Sequence, residues 1–180
     1  MQDLVILVDE NDKQIGTEEK LTAHQKGLLH RAFSIFIFNS KGKMLIHKRA
    51  SSKYHSGGLW TNACCSHPRP GENLEDAAHR RLREELGMDC PLEWKTSFTY
   101  KVKFEKDNLF EYEYDHVLCG YTDATPEPNP NEIDEIAWVD VGDLFIDVKK
   151  NPSHYTYWFI IALEKVADLL PLVTNNTKKS

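Results

Sequence analysis

The run NLEDAAHRRLREELG, residues 73–87, constrains the fold more than any other stretch of the sequence. Leu74, Ala77, Ala78, Leu82 and Leu86 recur at helical spacing, which collects them on one face of an α-helix. Asn73 stands at the N-cap, with Asp76 three residues on in a capping-box arrangement. Gly87 can close the C-terminus because it adopts the left-handed conformation without steric cost. The polar side carries Arg80, Arg81, Arg83, Glu84 and Glu85. Arg81 and Glu85, four residues apart, share a face. For an arbitrary helix such charges are a solvated surface laced with ion pairs.

An amphipathic helix needs an apolar layer to lie on, and strands supply it. Leu4–Val8 reads as a short strand ended by the turn-rich DENDK. TEEKLTAHQKG, residues 17–27, reads as a short helix with Thr17 as N-cap. In RAFSIFIFNSKGKMLIHKR two β-rich runs flank NSKG, a hairpin signal in which Asn39 and Gly42 suit turn positions. SSKYHSGG reads as a polar loop and LWTNACC as the next strand. In FTYKVKF, Phe98, Tyr100, Val102 and Phe104 alternate with polar residues, and KDN separates this run from the long strand LFEYEYDHVLCGY. A Pro-rich loop TPEPNPNE, a short strand near Ile136–Val139 and two C-terminal helices follow. The expectation is one α+β domain over residues 1–180, with 1–3 and 174–180 frayed.

A net charge of −6 argues against a broad nucleic-acid surface, which needs surplus Lys and Arg, but allows a local basic pocket. The apolar runs Leu4–Val8 and Tyr157–Leu163 are too short for a signal peptide core or a membrane span. The expectation is a cytosolic monomer with no membrane or nucleic-acid partner. There the four cysteines, 64, 65, 90 and 119, stay reduced, and they form no C-x-x-C knuckle.

ACCSHPRPGE, residues 63–72, places adjacent cysteines just ahead of His67. In an extended strand, Cys64 and Cys65 face opposite ways. A lone cysteine in a strand is more often buried packing than a functional group. Glu111 and Glu113, two apart in a strand, project from one face. By pattern alone that is a solvated edge as readily as a site.

From Ser66 to Met88 the sequence resembles a Nudix box, G-x5-E-x7-R-E-U-x-E-E-x-G-U. Glu72, Arg80, Leu82, Glu84, Glu85, Gly87 and Met88 fit, whereas Ser66 replaces the first glycine and Arg81 the first glutamate after the arginine. The second change exchanges a metal-binding carboxylate for a phosphate-binding cation, favouring a diphosphate that is held over one that is cut. Beyond the box, GTEEKLTAH, LLHRAFSIFIFN, KRASSKYHSGGLWTNACCSHPRPGE, RRLREELG and FEYEYDHVL resemble, in order, the type I isopentenyl diphosphate isomerase family.

That resemblance implies a Nudix-like mixed sheet with flanking helices. It also implies interconversion of isopentenyl and dimethylallyl diphosphate, through a tertiary carbocation, early in isoprenoid synthesis. Cys65 corresponds to the family's thiol acid/base and Glu113 to the carboxylate opposite it. Tyr100 corresponds to a hydroxyl that assists Glu113, and Trp158 to the aromatic face over the cation, with Tyr155 and Tyr157 as neighbouring alternatives. His24, His30, His67, Glu111 and Glu113 correspond to a mixed nitrogen–carboxylate site suited to Mn(II), Zn(II) or Fe(II). Their spacing is no metal motif by itself. His55 is the one further histidine singled out. Glu85 and the Cys65 carbonyl correspond to an Mg(II) site at the diphosphate, and Lys20, Arg49, Lys53 and Arg81 to diphosphate-binding cations. The other readings of the residues are a Nudix hydrolase of a nucleoside diphosphate derivative and a non-catalytic diphosphate-binding protein.

Overall fold

The computed structural model describes residues 3–53 and 55–169. Its centre is β3 (His30–Phe38), in which every side chain but Arg31 is buried. A strand buried on both faces reads as a continuous apolar run, which is what AFSIFIF supplies. Alternate residues separate into two cores. Phe36 and Phe38 pack with the C-terminal helices α3 (Val141–Lys150) and α4 (Tyr157–Val166). Phe33, Ile35 and Ile37 pack with α2 (Leu74–Leu86).

The expected helix 73–87 forms as α2. Asn73 Oδ1 accepts the Asp76 amide at 2.8 Å. Gly87 ends the helix at φ 60°, where a Cβ would also meet Glu127 O at 2.7 Å. Ala77, Ala78, Leu82 and Leu86 face the sheet, and Glu85 is buried with them.

The remaining strands assemble around β3. The NSKG turn closes with Gly42 N donating to Asn39 O at 2.9 Å, but β3 and β4 (Met44–Arg49) pair only through Phe38 and Met44 and then splay apart. Into that gap runs LWTNACC, which is two strands and not one. β5 (Trp60–Thr61) pairs with β4, and β6 (Cys64–Ser66) pairs with β3. The segment changes ladders at Asn62, whose side chain takes over the bonds the backbone cannot make there. β7 (Leu92–Phe104) and β8 (Leu109–Tyr121) form the expected second hairpin, extended at its N-terminal end and bulged at Lys95. β8 in turn lies parallel to β3, with His30 beside Glu113. β9 (Ile133–Val139) joins β4 and begins earlier than expected.

At the N-terminal edge, β1 (Leu4–Val8) forms as expected, but Thr17 is no N-cap. Residues 14–19 form an edge strand, β2 (Gln14–Glu19), in which Thr17 opposes Ile6. The exposed QIGTEE lacks the apolar alternation that marks a strand. Helix α1 (Lys20–Lys26) therefore starts later, with the Glu19 carboxylate accepting the Leu21 and Thr22 amides. The segment expected to fray, 174–180, and residues 1–2 lie outside the described residues. Among the described residues no helix is long and apolar enough to cross a membrane.

Candidate active site

Strand parity delivers the side chains to one place. On β8 the odd positions 113, 115, 117 and 119 share a face, with Val117 and Cys119 in the core beneath α4. In one row across three strands stand His30, Glu113 and Tyr100. Directly opposed strand residues lie close enough for side-chain contact, and Tyr100 Oη donates to Glu113 Oε2 at 2.7 Å. Cys65, opposite Ser34 on β3, packs against the same core, while Cys64 is fully buried on the α2 side. Cys64 is thus packing, as its parity required.

Three histidines converge on Glu113. His67 Nε2 lies 2.9 Å and His30 Nε2 3.6 Å from its Oε1. The ring centroids of His24, His30 and His67 lie 5.0–6.2 Å apart. One ligand atom from each of these residues and one from Glu113 all fall within 4.8 Å of one another. Glu111 adjoins the cluster, 3.7 Å from His24 and 3.3 Å from His55. The donors fit a cation. His24 Nε2 and His30 Nε2 are buried without hydrogen-bond partners, an arrangement that costs free energy until something occupies their lone pairs. His30 Nδ1 faces the Leu28 carbonyl at 2.9 Å, which fixes the tautomer that leaves Nε2 free.

Burial, helped by the neighbouring imidazoles, lowers His24 to about 3. Burial also lowers His67, to about 4, against the pull of Glu113. Both rings are therefore neutral, as metal ligation requires. Burial works to raise the Glu113 carboxyl, but the adjoining His30 and His67 rings, His67 through its hydrogen bond, overcome it and hold the group well below the ordinary range. Glu111 moves the opposite way, pushed well up by burial and by the Glu113 charge. Burial, reinforced by Asp115, raises the Cys65 thiol and keeps it protonated. Asp115 itself is buried, accepts from Ser34 Oγ at 2.7 Å and is pushed well up by burial and by Glu113.

The other end of the pocket is cationic. Lys20, Arg49, Lys53 and Arg81 line it, with Glu85 and Glu132 between them. Arg81 is paired with Glu85 and with Glu84, and Lys53 with Glu132. The Nε groups of Arg49 and Arg81 are buried and unpartnered. Trp158 closes the wall, with the Arg49 guanidinium 5.1 Å from its ring centroid. Of the two neighbouring tyrosines, Tyr155 is tied to Asp147 at 2.5 Å and Tyr157 is 56% exposed. Among these three aromatics, only Trp158 lines the pocket.

The structure thus brings the candidate residues together: all line the pocket except His30 and Tyr100, which reach it through Glu113. The sequence reading left out Glu132, Ser34 and Asp115. Ser34 and Asp115 share strand parity with His30 and Glu113, so the two-residue period points to them, whereas Glu132 comes from a loop that no spacing rule places.

Residues 28–159 match the NUDIX domain family model. The chain is 52% identical over 92% of its length to "Isopentenyl-diphosphate Delta-isomerase 2" of Aromatoleum aromaticum, of which it covers 87%. It is 47% identical over 91% of its length to an isopentenyl-diphosphate Delta-isomerase of Serratia proteamaculans, covering 91% of that protein. Among solved structures it superposes on a MutT protein from Methanosarcina mazei with a TM-score of 0.64 at 17% identity. That match covers 78% of this chain and 94% of the other, and it is a likeness of fold alone.

Proposed function

The chain belongs to the Nudix family and, within it, to the isopentenyl-diphosphate Delta-isomerases, and from that premise we propose that its pocket interconverts isopentenyl and dimethylallyl diphosphate by proton transfer at carbon. The observation that carries the mechanism is Cys65, whose thiol burial pushes up, and Glu113, whose carboxyl its neighbours hold down, lining one pocket whose far end holds buried guanidinium N–H groups. The hydrolase reading has no such support, because the relatives carry isomerase names and Arg81 stands where a metal-binding carboxylate would be.

In our reading the diphosphate lies against Arg49, Arg81, Lys20 and Lys53, exchanging the pocket's internal acid–base pairs for pairs with phosphate. Arginine presents a planar fork to phosphate oxygens. The five-carbon chain then points toward Cys65 and Glu113. The S–H of Cys65 gives its proton to the terminal methylene, the π electrons form the new C–H bond, and a tertiary cation is left. Glu113 takes a proton from the methylene next to the diphosphate-bearing end, that C–H pair becomes the new double bond, and after product leaves, exchange with solvent moves the proton from Glu113 back to the Cys65 thiolate. The reverse reaction begins with the proton on Glu113, where the Tyr100 hydroxyl supports the carboxylate as it empties. Trp158 turns its π face to the cation, an interaction worth roughly 2 kcal/mol or more once desolvated. Exclusion of water keeps the cation from being trapped.

The donor sets fit metals at both ends. Bound at His24, His30, His67, Glu111 and Glu113, Mn(II), Zn(II) or Fe(II) would fix the Glu113 carboxylate, and Mg(II) held by Glu85 and the Cys65 carbonyl would neutralise diphosphate charge. Four free cysteines fit a reducing cytosol, and every group invoked comes from a single chain.

Proton NMR of metal-loaded protein with isopentenyl diphosphate in D2O tests the proposal. Dimethylallyl methyl signals with deuterium on carbon are the expected result. Released phosphate or monophosphate, with the carbon skeleton unchanged, would replace it with hydrolysis.

A further inference from the structure

Thr61 and Asn62 sit where the chain changes ladders, and the mechanism above gives them no part. They are 1% and 0% exposed. Asn62 Nδ2 donates to the carbonyls of Ile35 at 2.9 Å and Cys64 at 3.1 Å. Carbonyl oxygens only accept, so these bonds fix which end of the carboxamide is nitrogen. Oδ1 must then face the other way as an acceptor. It receives the Cys65 thiol at 3.0 Å and the Thr61 hydroxyl at 3.0 Å. Thr61 Oγ1 in turn accepts from Trp158 Nε1 at 3.1 Å and from Thr156 Oγ1 at 3.0 Å. The hydroxyl's one donor and two acceptor sites are all engaged, as are the amide's two donors and two acceptor sites.

The result is a continuous chain: indole N–H of Trp158, hydroxyl of Thr61, carboxamide of Asn62, thiol of Cys65. We propose that Thr61 and Asn62 are positioning residues that hold the Cys65 thiol and the Trp158 ring in a fixed relation, as the two sides of one reaction site. This rests on the roles given to Cys65 and Trp158 above. Two facts make the link necessary. The S–H rotor has no intrinsic preference for a direction, and of its two partners the fixed Oδ1, at 3.0 Å, is nearer than Ser34 Oγ at 3.4 Å. Trp158 comes from α4, whose N-terminal end meets this corner of the sheet at the Trp60–Tyr155 bridge, where Thr156 N donates to Trp60 O at 2.9 Å. A fully satisfied polar network specifies one arrangement of its members.

The test uses metal-loaded Thr61→Val and Thr61→Ser, with steady-state kinetics and the Trp158 indole N–H resonance, assigned by its absence in Trp158→Phe. Valine keeps the shape and removes the hydroxyl, whereas serine keeps the hydroxyl. Misplaced reacting groups cost up to about 100-fold in rate, so Thr61→Val is expected to lower kcat roughly 10- to 100-fold with KM within about twofold. It should also shift the indole resonance, and Thr61→Ser should recover most of kcat. Where Thr61→Val does not fold, Thr61→Ala removes the same hydroxyl and must show the same split. A shifted indole with parental kcat would overturn the proposal, and so would equal losses in the valine and serine variants, which mark packing alone. A parent protein that converts no isopentenyl diphosphate overturns the isomerase reading and the roles this inference depends on together.

Discussion

The two ends of the pocket are built on different principles. At the carbon end, Glu113, Tyr100 and His30 stand in one row of paired strands, and Cys65 pairs with Ser34 on the same β3. Glu113, Tyr100 and His30 are buried and Cys65 is half-buried, and the Glu113 carboxylate is already held by the Tyr100 hydroxyl and the His67 ring. At the diphosphate end the cations come from α1, α2, the end of β4 and a loop, and three of them, Lys20, Lys53 and Arg81, are already paired with carboxylates. The first end is preorganised and the second is compensated. Chemistry at carbon needs protons held in fixed places before substrate arrives. Recognition of a tetrahedral anion tolerates cations that must first release another acid.

If that contrast holds, the largest effects come from the rigid end. Cys65→Ala and Glu113→Gln should each lower kcat by at least about 1000-fold, within the range for general acid–base groups, while circular dichroism and thermal midpoint stay near parental. Near-normal turnover in either would break the assignment.

Dryness of the scaffold can be read from His47 on β4, whose Nδ1 faces the Ala63 carbonyl at 3.0 Å. Burial lowers it from 6.5 to about 4. The unfolded chain therefore binds the proton first. The stabilisation is complete above about 6.5 and is lost as pH falls toward about 4, by at most roughly 3 kcal/mol. Urea unfolding between pH 7.5 and 4 should show this loss in the parent and a flatter profile in His47→Gln. Equal slopes would mean that water reaches the ring.

At the compensated end effects should fall on binding. Arg81→Ala is expected to raise KM about 10- to 100-fold, the scale of a charged hydrogen bond, with a smaller change in kcat. A dominant loss in kcat would erase the distinction between the two ends. Glu85→Gln should be milder, moving the Mg(II) concentration for half-maximal rate upward about tenfold, as loss of a supporting ligand does. An unchanged Mg(II) response would move that metal away from Glu85.

Much of this was legible in the chain. Helix α2 announced itself through its apolar stripe, Asn73 and Gly87, all local features. The parity of 64 and 65, and of 111 and 113, followed from the two-residue period of a strand. β2 was hidden because an exposed edge strand has no apolar alternation to display. The break in LWTNACC was hidden because it depends on β3 and β4 splaying apart, a fact about two other strands. The convergence of His24, His30 and His67 was reached only through family resemblance, since their spacing encodes nothing by itself.

The sequence by itself determined α2, the two hairpins and the face on which their side chains emerge, because helix and strand periods are local properties of the backbone. Which of those faces meet was decided by tertiary structure. Putting His30, Glu113 and Tyr100 in one row takes the register of three strands, and joining Trp158 to Cys65 takes a hydroxyl at a ladder change. Register is set by burying whole strands at once, and that is a property of the assembled sheet.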